Sequence, residues 1–561
     1  SRACVHNTSL PRSSMAVNGA SSRDGNDRAA PLLQGSASEL ARSSSSRSSM
    51  SKRKAGLGML SVAAIVFFNV SGGPLGSEQV ISSVGPLYGL GSLVAFTTFY
   101  SVPQAMMTAE LSTAFPDNGG YSLWVQAAFG DLWGVQESYW SWFSGVVDSA
   151  LYPVLLYSCA EQLFLYVPPE GGCRGGGDDD DDGEDLRNLW TCMFTESSCA
   201  REYAIKLGVL IVFIMPNVIS DHIVGQGLFF LALFVMAPFI VTIALSLGSA
   251  RFSLKRLLGK PRKQKWSQLL SVAYWNVSGF DSASTFAGEI GNPQRTLPRA
   301  LGLAVVIMIL GYLLTLGAAA AVDPDWRCWQ DGSITHVAGL VGGHWLAIWV
   351  LVSATLGNWG LFCAELIEDS YQLLGMAELG LAPAVFARRH PRLHTPTNAI
   401  LLQLLIIGVL IGLDFNAILC VDNFFSASSA ALEFLAAVRL RSSKPDMPRP
   451  YRIPFSTPLL ALFFVLPIAA NVVVMYVTAM ESTASFCVTM AATSIGFLGY
   501  FVMCLFSYFS SSAEGAADTR AGTRTENFSF RPEEMISPDL NGSSSADDGA
   551  DGRGSGGGYY R

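Results

Sequence analysis

The stretch FFNVSGGPLGSEQV, residues 67–80, interrupts a strongly apolar segment with serine, glycine and proline. The apolar run begins near Leu57, breaks after Val70 and resumes at Val80. A second stretch, YWNVSGFDSASTF at residues 274–286, contains the same tetrapeptide NVSG. A four-residue repeat can arise by chance, so its meaning depends on the segments around it.

The composition is that of a membrane protein. Half of the 561 residues are apolar and 14% are charged, whereas an ordinary soluble domain has roughly 25% charged residues. Apolar runs of about 20 residues, the length that crosses the hydrocarbon core as a helix, recur from 56 to 508. The flanking segments 1–55 and 509–561 are rich in small polar residues and are predicted to be disordered cytoplasmic tails.

Hydropathy and helix-breaking residues together predict an all-α protein with twelve transmembrane helices and both tails on one side. The first six spans are predicted near 57–86 (broken at 71–76), 89–112, 133–166, 202–219, 225–248 and 268–288. The second six are predicted near 299–322, 344–370, 397–413, 416–437, 456–478 and 485–508. Basic residues before span one and after spans eight and ten predict cytoplasmic tails. The basic loop 251–265, which this count places outside, disagrees.

The two breaks fall in spans one and six, which open the halves of a five-plus-five arrangement. Transporters built from inverted repeats bind substrate near the bilayer midplane between two such discontinuous helices. The freed backbone of Gly72, Gly73, Ser278 and Gly279 is therefore predicted to line a substrate site. A tight kink or a small-residue helix contact is the alternative for either break alone.

Carboxyl groups inside the predicted spans are the second signal. They are Asp148 in span three, Asp281 in the break of span six, Glu365 in span eight and Glu433 late in span ten. A carboxylate at a helix centre in the membrane costs about 2.5 kcal/mol or more, and these four spans contain no Lys or Arg. All four residues are predicted to bind a cationic substrate or to carry protons.

Two other acids, Glu110 and Glu289, lie at span ends and are interpreted as structural. Glu78 is predicted in the first turn of the half-helix after the first break, where it complements the helix dipole. Amino acid transporters use such an N-terminus for the substrate carboxylate, so an acid at this position disfavours a zwitterion.

Aromatic residues accompany these acids. Trp275 lies in span six, Tyr152 lies one helical turn from Asp148, and Phe280 is next to Asp281. The rings of Tyr152 and Phe280 are predicted to contact an amine through cation-π attraction.

The outside loop 167–200 contains GGGDDDDDGED, which is typical of a solvated insert, with a cation-attracting vestibule as the alternative. Three cysteines of this loop and one after span seven could form one or two disulfides with the pairing left open: Cys173, Cys192, Cys199 and Cys328.

Several long motifs resemble the amino acid-polyamine-organocation transporters, and within them the plant and protist polyamine uptake transporters. The motifs are AELSTAFPDNGGYSLWV (109–125), WSWFSGVVDSALYPVL (140–155), WNVSGFDSASTFAGEIGNPQRTLPRAL (275–301), AELIEDSYQLLGMAELGLAP (364–383) and the run around LEFLAAVRLR (432–441). The resemblance covers roughly 56–508. The acidic insert, the loop cysteines and the long tails depart from the family pattern.

The resemblance implies a LeuT-type fold in which spans one, three, six, eight and ten build the site. It implies uptake of putrescine- or spermidine-like cations, with H⁺ as coupling ion, and carries the family's acidic positions to Asp148, Asp281 and Glu365. Related exchangers use a loop cysteine to bond a single-span glycoprotein, so a disulfide-linked partner through loop 167–200 is an open expectation.

The sequence therefore predicts a proton-coupled polyamine importer of the plasma membrane. A cationic or neutral amino acid transporter or exchanger is the alternative, and a transporter-like receptor or scaffold is an alternative of another class. Enzyme function is not expected, since no nucleophile elbow, phosphate loop or metal-ligand histidine spacing is present. No cofactor or metal is expected.

Overall fold

A computed structural model describes residues 57–164, 197–219, 221–261, 263–330, 332–412, 415–481 and 483–521. The predicted N-terminal tail, most of the loop 167–200 and the chain after 521 lie outside the described residues. Over the described residues the chain is helical without a β-strand, and an isolated parallel bridge joins Leu57 to Ile290.

The α-helices are numbered here in chain order. The first ten are α1 Met59–Val70, α2 Gln79–Val84, α3 Pro86–Phe96, α4 Val102–Ala114, α5 Gly120–Phe129, α6 Asp131–Ser149, α7 Leu151–Phe164, α8 Ser197–Ile219, α9 Asp221–Gly248 and α10 Trp266–Val277. The others are α11 Pro293–Val322, α12 Ser333–Gly342, α13 His344–Glu378, α14 Thr397–Leu410, α15 Phe415–Ser443, α16 Thr457–Ala479 and α17 Thr483–Ala521.

Seven helices of the described chain are long and apolar enough to cross a membrane: α8, α9, α11, α13, α15, α16 and α17. The two helices at the extremes of mean hydropathy differ in burial. The window of α9 has the highest mean hydropathy and is mostly exposed, whereas that of α15 has the lowest and is mostly buried. Side chains such as Phe230 and Ile240 of α9 are exposed on the outside of the bundle. An exposed apolar outside and a more polar inside are expected for helices that surround a polar interior within lipid.

Both helix interruptions lie where the sequence predicts them. Helix α1 ends at Val70 and α2 begins only at Gln79. Helix α10 ends at Val277, and short 3₁₀ turns follow before α11 begins at Pro293. The backbone at Gly72 and Gly279 has φ of +49° and +95°, a left-handed region in which glycine carries no steric penalty. The NVSG repeat therefore marks two equivalent helix ends.

The asparagine of each NVSG repeat binds the other break. Asn69 Nδ2 donates to Ser282 Oγ at 2.8 Å, and Asn276 Nδ2 donates to the Gly76 carbonyl at 3.3 Å. A Cβ added at Gly279 would lie 3.1 Å from the Asn69 carbonyl oxygen. The two interrupted segments thus pack side by side with reciprocal hydrogen bonds.

The basic loop 251–265 lies at the end of the bundle where α1–α2 turns into α3. Arg256 donates to the carbonyls of Ala321 and Val322 at 2.7 and 2.9 Å, and Lys260 lies over the ring of Tyr88. These contacts place the loop beside the α2–α3 turn and the end of α11. The loop therefore lies at the same end of the bundle as the α2–α3 turn, where carbonyl oxygens and a ring contact two of its basic side chains.

The two acids interpreted as structural are held in ion pairs at the opposite end of the α3–α4 segment. Glu110 pairs with Arg441 at 2.5 Å, and Glu289 pairs with Arg389 at 2.9 Å. Both contacts support a structural role.

The last helix departs from expectation. The predicted disordered tail begins at 509, yet α17 continues to Ala521. Residues 513–521 contain several alanines and a glutamate, which favour helix, and extending an existing helix avoids the cost of nucleation. The helix therefore extends past 509, where the predicted tail begins, and the chain after 521 lies outside the described residues.

Candidate functional site

A cavity of about 130 Å³ lies between the two helix breaks and the helices α6, α13 and α15. Five of the described residues that line it carry carboxyl groups: Asp148, Asp281, Glu365, Glu368 and Asp422. None of the described lining residues is Lys, Arg or His. No group of three His, Cys, Asp or Glu side chains among the described residues is arranged to hold a metal ion. The cavity is thus a strongly acidic, largely buried chamber.

Asp148 lies in the last turn of α6 and is 8% exposed. Its Oδ1 accepts a hydrogen bond of 2.9 Å from the indole of Trp275, and its Oδ2 accepts one from the hydroxyl of Tyr152. The first bond joins α6 to α10, just before the second break. Both donors are neutral, so they orient the carboxylate without removing its charge.

Helix α13 contributes acids spaced three and four residues apart, which places them on one face. Glu368 accepts hydrogen bonds from Asn69 Nδ2 at 3.0 Å and from the Tyr121 hydroxyl at 3.1 Å. Asp369 lies next to Gly145 of α6, and neither of its carboxyl oxygens has a hydrogen-bond partner among the described residues. Glu365, one turn earlier on the same face, lines the cavity directly.

Helix α15 supplies the remaining acids of this region. Asp422 accepts a 2.5 Å hydrogen bond from the hydroxyl of Ser144 on α6. Glu433 does not line the cavity, but its carboxyl group interacts with that of Asp281, which does.

Six residues predicted from the sequence line this cavity together: Asp148, Tyr152, Trp275, Ser278, Asp281 and Glu365. Four others are not among its lining residues: Gly72, Gly73, Phe280 and Gly279. Their surroundings explain this. A Cβ at Gly72 would lie 2.4 Å from Leu361, and Gly73 packs near Val235 and Phe239. These glycines permit close helix packing, and the ring of Phe280 is fully buried.

Sequence reasoning missed Glu368 and Asp422 as cavity residues, and Asn69 and Asn276 as the groups that join the breaks. A signal for the first was available, because Glu368 follows Glu365 by three residues on a helix. A signal for the asparagines was also available, because Asn69 and Asn276 are the first residues of the two NVSG repeats. For Asp422 no sequence signal distinguishes a cavity-facing acid from one near a span end.

Glu78 immediately precedes α2 and is fully buried. Its carboxylate accepts hydrogen bonds from the backbone N–H of Gly76 at 2.7 Å and of Gly332 at 3.0 Å. The acid therefore lies directly before the half-helix rather than in its first turn as predicted, and its carboxylate ties the first break to the segment before α12.

Of the four cysteines predicted to form disulfides, Cys328 is disulfide-bonded. The side chains of Cys173, Cys192 and Cys199 lie outside the described residues, as do the acidic insert and any contact of loop 167–200 with a partner. The pairing therefore stays a prediction.

Comparison with known proteins gives the family. The model of the amino acid permease family matches residues 57–500. A protein named as a probable polyamine transporter, from Arabidopsis thaliana, is 37% identical over 73% of this chain and 80% of its own length. Polyamine transporter PUT1 of Oryza sativa subsp. japonica is 35% identical over 78% of this chain and 76% of its length.

Polyamine transporter RMV1 of Arabidopsis thaliana is also 35% identical, over 71% of this chain and 75% of its length. The family match spans both helix breaks and every acid of the cavity. The chain therefore belongs to the amino acid permease family and is a multi-pass membrane transporter rather than an enzyme.

Proposed function

We propose that this transporter imports polyamines such as putrescine and spermidine. The observation that carries the proposal is the cavity with five carboxyl groups and no Lys, Arg or His among its described lining residues. Unpaired carboxylates in a membrane interior are costly, and a ligand with several ammonium groups offsets this cost directly. The likeness to proteins named polyamine transporters supports the same substrate class.

The distribution of the acids favours a linear polycation over a single ammonium group. Asp148, Asp281 and Glu368 come from three different segments of the chain, namely α6, the second break and α13. Charges that line different walls can each receive one ammonium group of an extended chain. The Trp275 and Tyr152 rings provide apolar surface, and a cation-π partner, beside Asp148.

An amino acid substrate would also need a partner for its carboxylate. In amino acid transporters of this architecture that partner is the N-terminus of a half-helix after a break. Here the residue directly before the half-helix α2 is Glu78, whose carboxylate accepts a hydrogen bond from the Gly76 N–H within the break. A negatively charged side chain at this helix start disfavours a second carboxylate, which supports the polyamine over the amino acid reading.

We further propose the LeuT-type arrangement, in which ten of the twelve spans form two inverted repeats of five and the last two spans are additional. The transporter would work by alternating access. The paired breaks with reciprocal asparagine bonds support this arrangement. The basic loop 251–265, lying beside the α2–α3 turn, supports the same count. In this proposal both tails are cytoplasmic and the membrane is the plasma membrane.

The coupling ion is proposed to be H⁺, moving inward with the substrate. The candidates for carrying it are Asp148, Asp281, Glu365 and Glu433, which are acids held among neutral hydrogen-bond donors or other acids. No described lining residue of the cavity supplies a fixed positive charge that would keep them ionised.

The test is uptake of radiolabelled putrescine and spermidine in yeast that lacks polyamine uptake, with surface protein quantified. Asp148→Asn and Asp281→Asn should each lower uptake at least about tenfold, because losing one partner of a buried charge pair costs about 2–5 kcal/mol. Asp131→Asn, an exposed acid at the start of α6, is the matched control and should transport normally. Absent uptake, uptake unaffected by both cavity substitutions, or stronger competition by arginine than by putrescine would contradict the proposal.

A further inference from the structure

A second group of carboxyls lies behind the cavity, between α6 and α15. Glu137 of α6 and Glu433 of α15 are both fully buried and do not line the cavity. The hydroxyl of Ser429 lies between them, donating to Glu137 and close to Glu433 Oε1 at 3.2 Å. Ser429 itself lines the cavity, so the side chain that contacts both carboxyl groups lies in the cavity wall.

The pair lacks donors. Oε2 of Glu137 and Oε2 of Glu433 have no hydrogen-bond partner among the described residues, and neither acid forms an ion pair with them. Both carboxyl groups contact the same Ser429 hydroxyl. That hydroxyl has one hydrogen to donate, and an ionised carboxylate only accepts hydrogen bonds, so both contacts are hydrogen bonds only when one of the two acids carries a proton. The geometry therefore fits a site that is completed by a proton.

Asp281, which lines the cavity, is the acid whose carboxyl group interacts with that of Glu433 from the cavity side. The titratable groups that face the pair from other elements are Asp281 after α10, Tyr100 between α3 and α4, and Tyr121 of α5. A proton on the Asp281 carboxyl can pass to Glu433, leaving Asp281 ionised and open to the cavity.

This arrangement addresses a requirement of co-transport. If a proton and an ammonium group compete for one carboxylate, binding of one expels the other, and the result is exchange in opposite directions. Movement in the same direction needs a second acid that stays protonated while the first binds the substrate.

We propose that Glu137 and Glu433 together hold the proton that travels with the substrate, at a site separate from the carboxylates that receive its ammonium groups. This rests on the polyamine import proposed above. The proton enters from water through Asp281 and passes to Glu433 before the substrate binds. After the substrate leaves toward the other side, the proton returns through Asp281 to water on that side. Glu137 is the acid whose carboxyl group completes the site.

The experiment uses the full-length protein in proteoliposomes with the membrane potential clamped at zero and radiolabelled putrescine as probe. Counterflow at equal pH on both sides measures substrate exchange, and accumulation under an acid-outside gradient measures proton coupling. Glu137→Gln and Glu433→Gln should keep counterflow within about twofold and lose gradient-driven accumulation at least about tenfold. Asp131→Asn is the matched carboxyl-to-amide control on α6 and should keep both.

Two results overturn the inference while leaving polyamine transport intact: gradient-driven accumulation retained in both amide variants, or counterflow lost together with accumulation in correctly folded variants. If both amide variants aggregate, Ser429→Ala decides, because it keeps both carboxyl groups and removes the hydroxyl between them. Its ratio of accumulation to counterflow should fall at least about threefold, and an unchanged ratio overturns the inference. A wild-type protein that shows counterflow without gradient-driven accumulation refutes the proposed proton coupling itself, and one that shows neither refutes the transport function.

Discussion

Replacement of Glu110 by Gln should destabilise the protein far more than the same replacement at Glu289. Both acids pair with an arginine, but their surroundings differ. Glu110 is 3% exposed and accepts bonds of 2.6 and 2.5 Å from the Nε and a terminal nitrogen of Arg441. The Glu289 side chain is 33% exposed and accepts one bond of 2.9 Å from Arg389. The pair of variants therefore compares a buried ion pair with a partly exposed one.

The expected magnitudes follow from burial. Removing one partner of a buried pair leaves an uncompensated charge and costs about 3–5 kcal/mol. The Glu110 site carries a second cation, since Arg449 Nε lies 3.3 Å from the same carboxylate, and the Ile453 N–H donates to it at 2.9 Å. Glu110→Gln would leave two guanidinium groups near one amide, so the upper part of this range is expected. An exposed pair contributes about 0–1 kcal/mol.

The assay is the thermal midpoint for loss of the monodisperse peak of detergent-solubilised protein, together with cell-surface abundance. Glu110→Gln should lower both strongly, and Glu289→Gln should leave both near wild type. Glu110→Gln/Arg441→Gln should be more stable than Glu110→Gln alone, because one of the uncompensated charges is gone. Equal midpoints for Glu110→Gln and Glu289→Gln would refute the reasoning from burial.

Three further outcomes are expected. Gly145→Ala places a Cβ 2.0 Å from Asp369 Oδ1 and should lower the stability of the protein by about 1–3 kcal/mol, measured by the same thermal midpoint. The double variant Gly145→Ala/Asp369→Ala should recover most of this stability, and no recovery would contradict the contact. Glu78→Ala removes the acceptor of two backbone N–H groups and should cost about 1–3 kcal/mol, whereas a midpoint equal to wild type would contradict the assigned bonds. Asn69→Ala loses the hydrogen bonds to the second break and to Glu368, and it should lower putrescine uptake at least about fivefold at equal surface abundance. Normal uptake would show that these bonds are not needed for transport.

The helix breaks were predictable because glycine and proline act locally. Helix α1 ends at Val70 and α10 at Val277, where the sequence turns from apolar residues to serine and glycine. The position of Glu78 was predictable for the same reason, since it depends on the start of one short helix. Where a backbone change is decided within a few residues, the sequence suffices.

The composition of the site was less predictable because it depends on which helix faces meet. Hydropathy places Asp148 and Glu368 inside spans. Whether Asp148 contacts the second break depends on the rotation of α6 about its axis, and whether Glu368 contacts the first break depends on the rotation of α13. Asp369 illustrates the limit: it neighbours Glu368 in the sequence, yet it does not line the cavity and packs against Gly145 instead. Phe280 is a similar case, because its neighbour Asp281 lines the cavity and its own ring does not.

The contacts between the broken segments and the surrounding helices indicate how occupancy of the cavity could control its opening. The segments are joined to each other by bonds between neutral groups, among them that of Asn69 to Ser282. Two of their bonds to other helices end on carboxylates that line the cavity: Trp275 donates to Asp148 and Asn69 donates to Glu368. A movement of the joined segments against α6 and α13 would change these bonds first. Under the proposed binding of a polyamine, its ammonium groups would compete with the indole and the amide for the same carboxylate oxygens, and the bonds that join the broken segments to α6 and α13 would weaken.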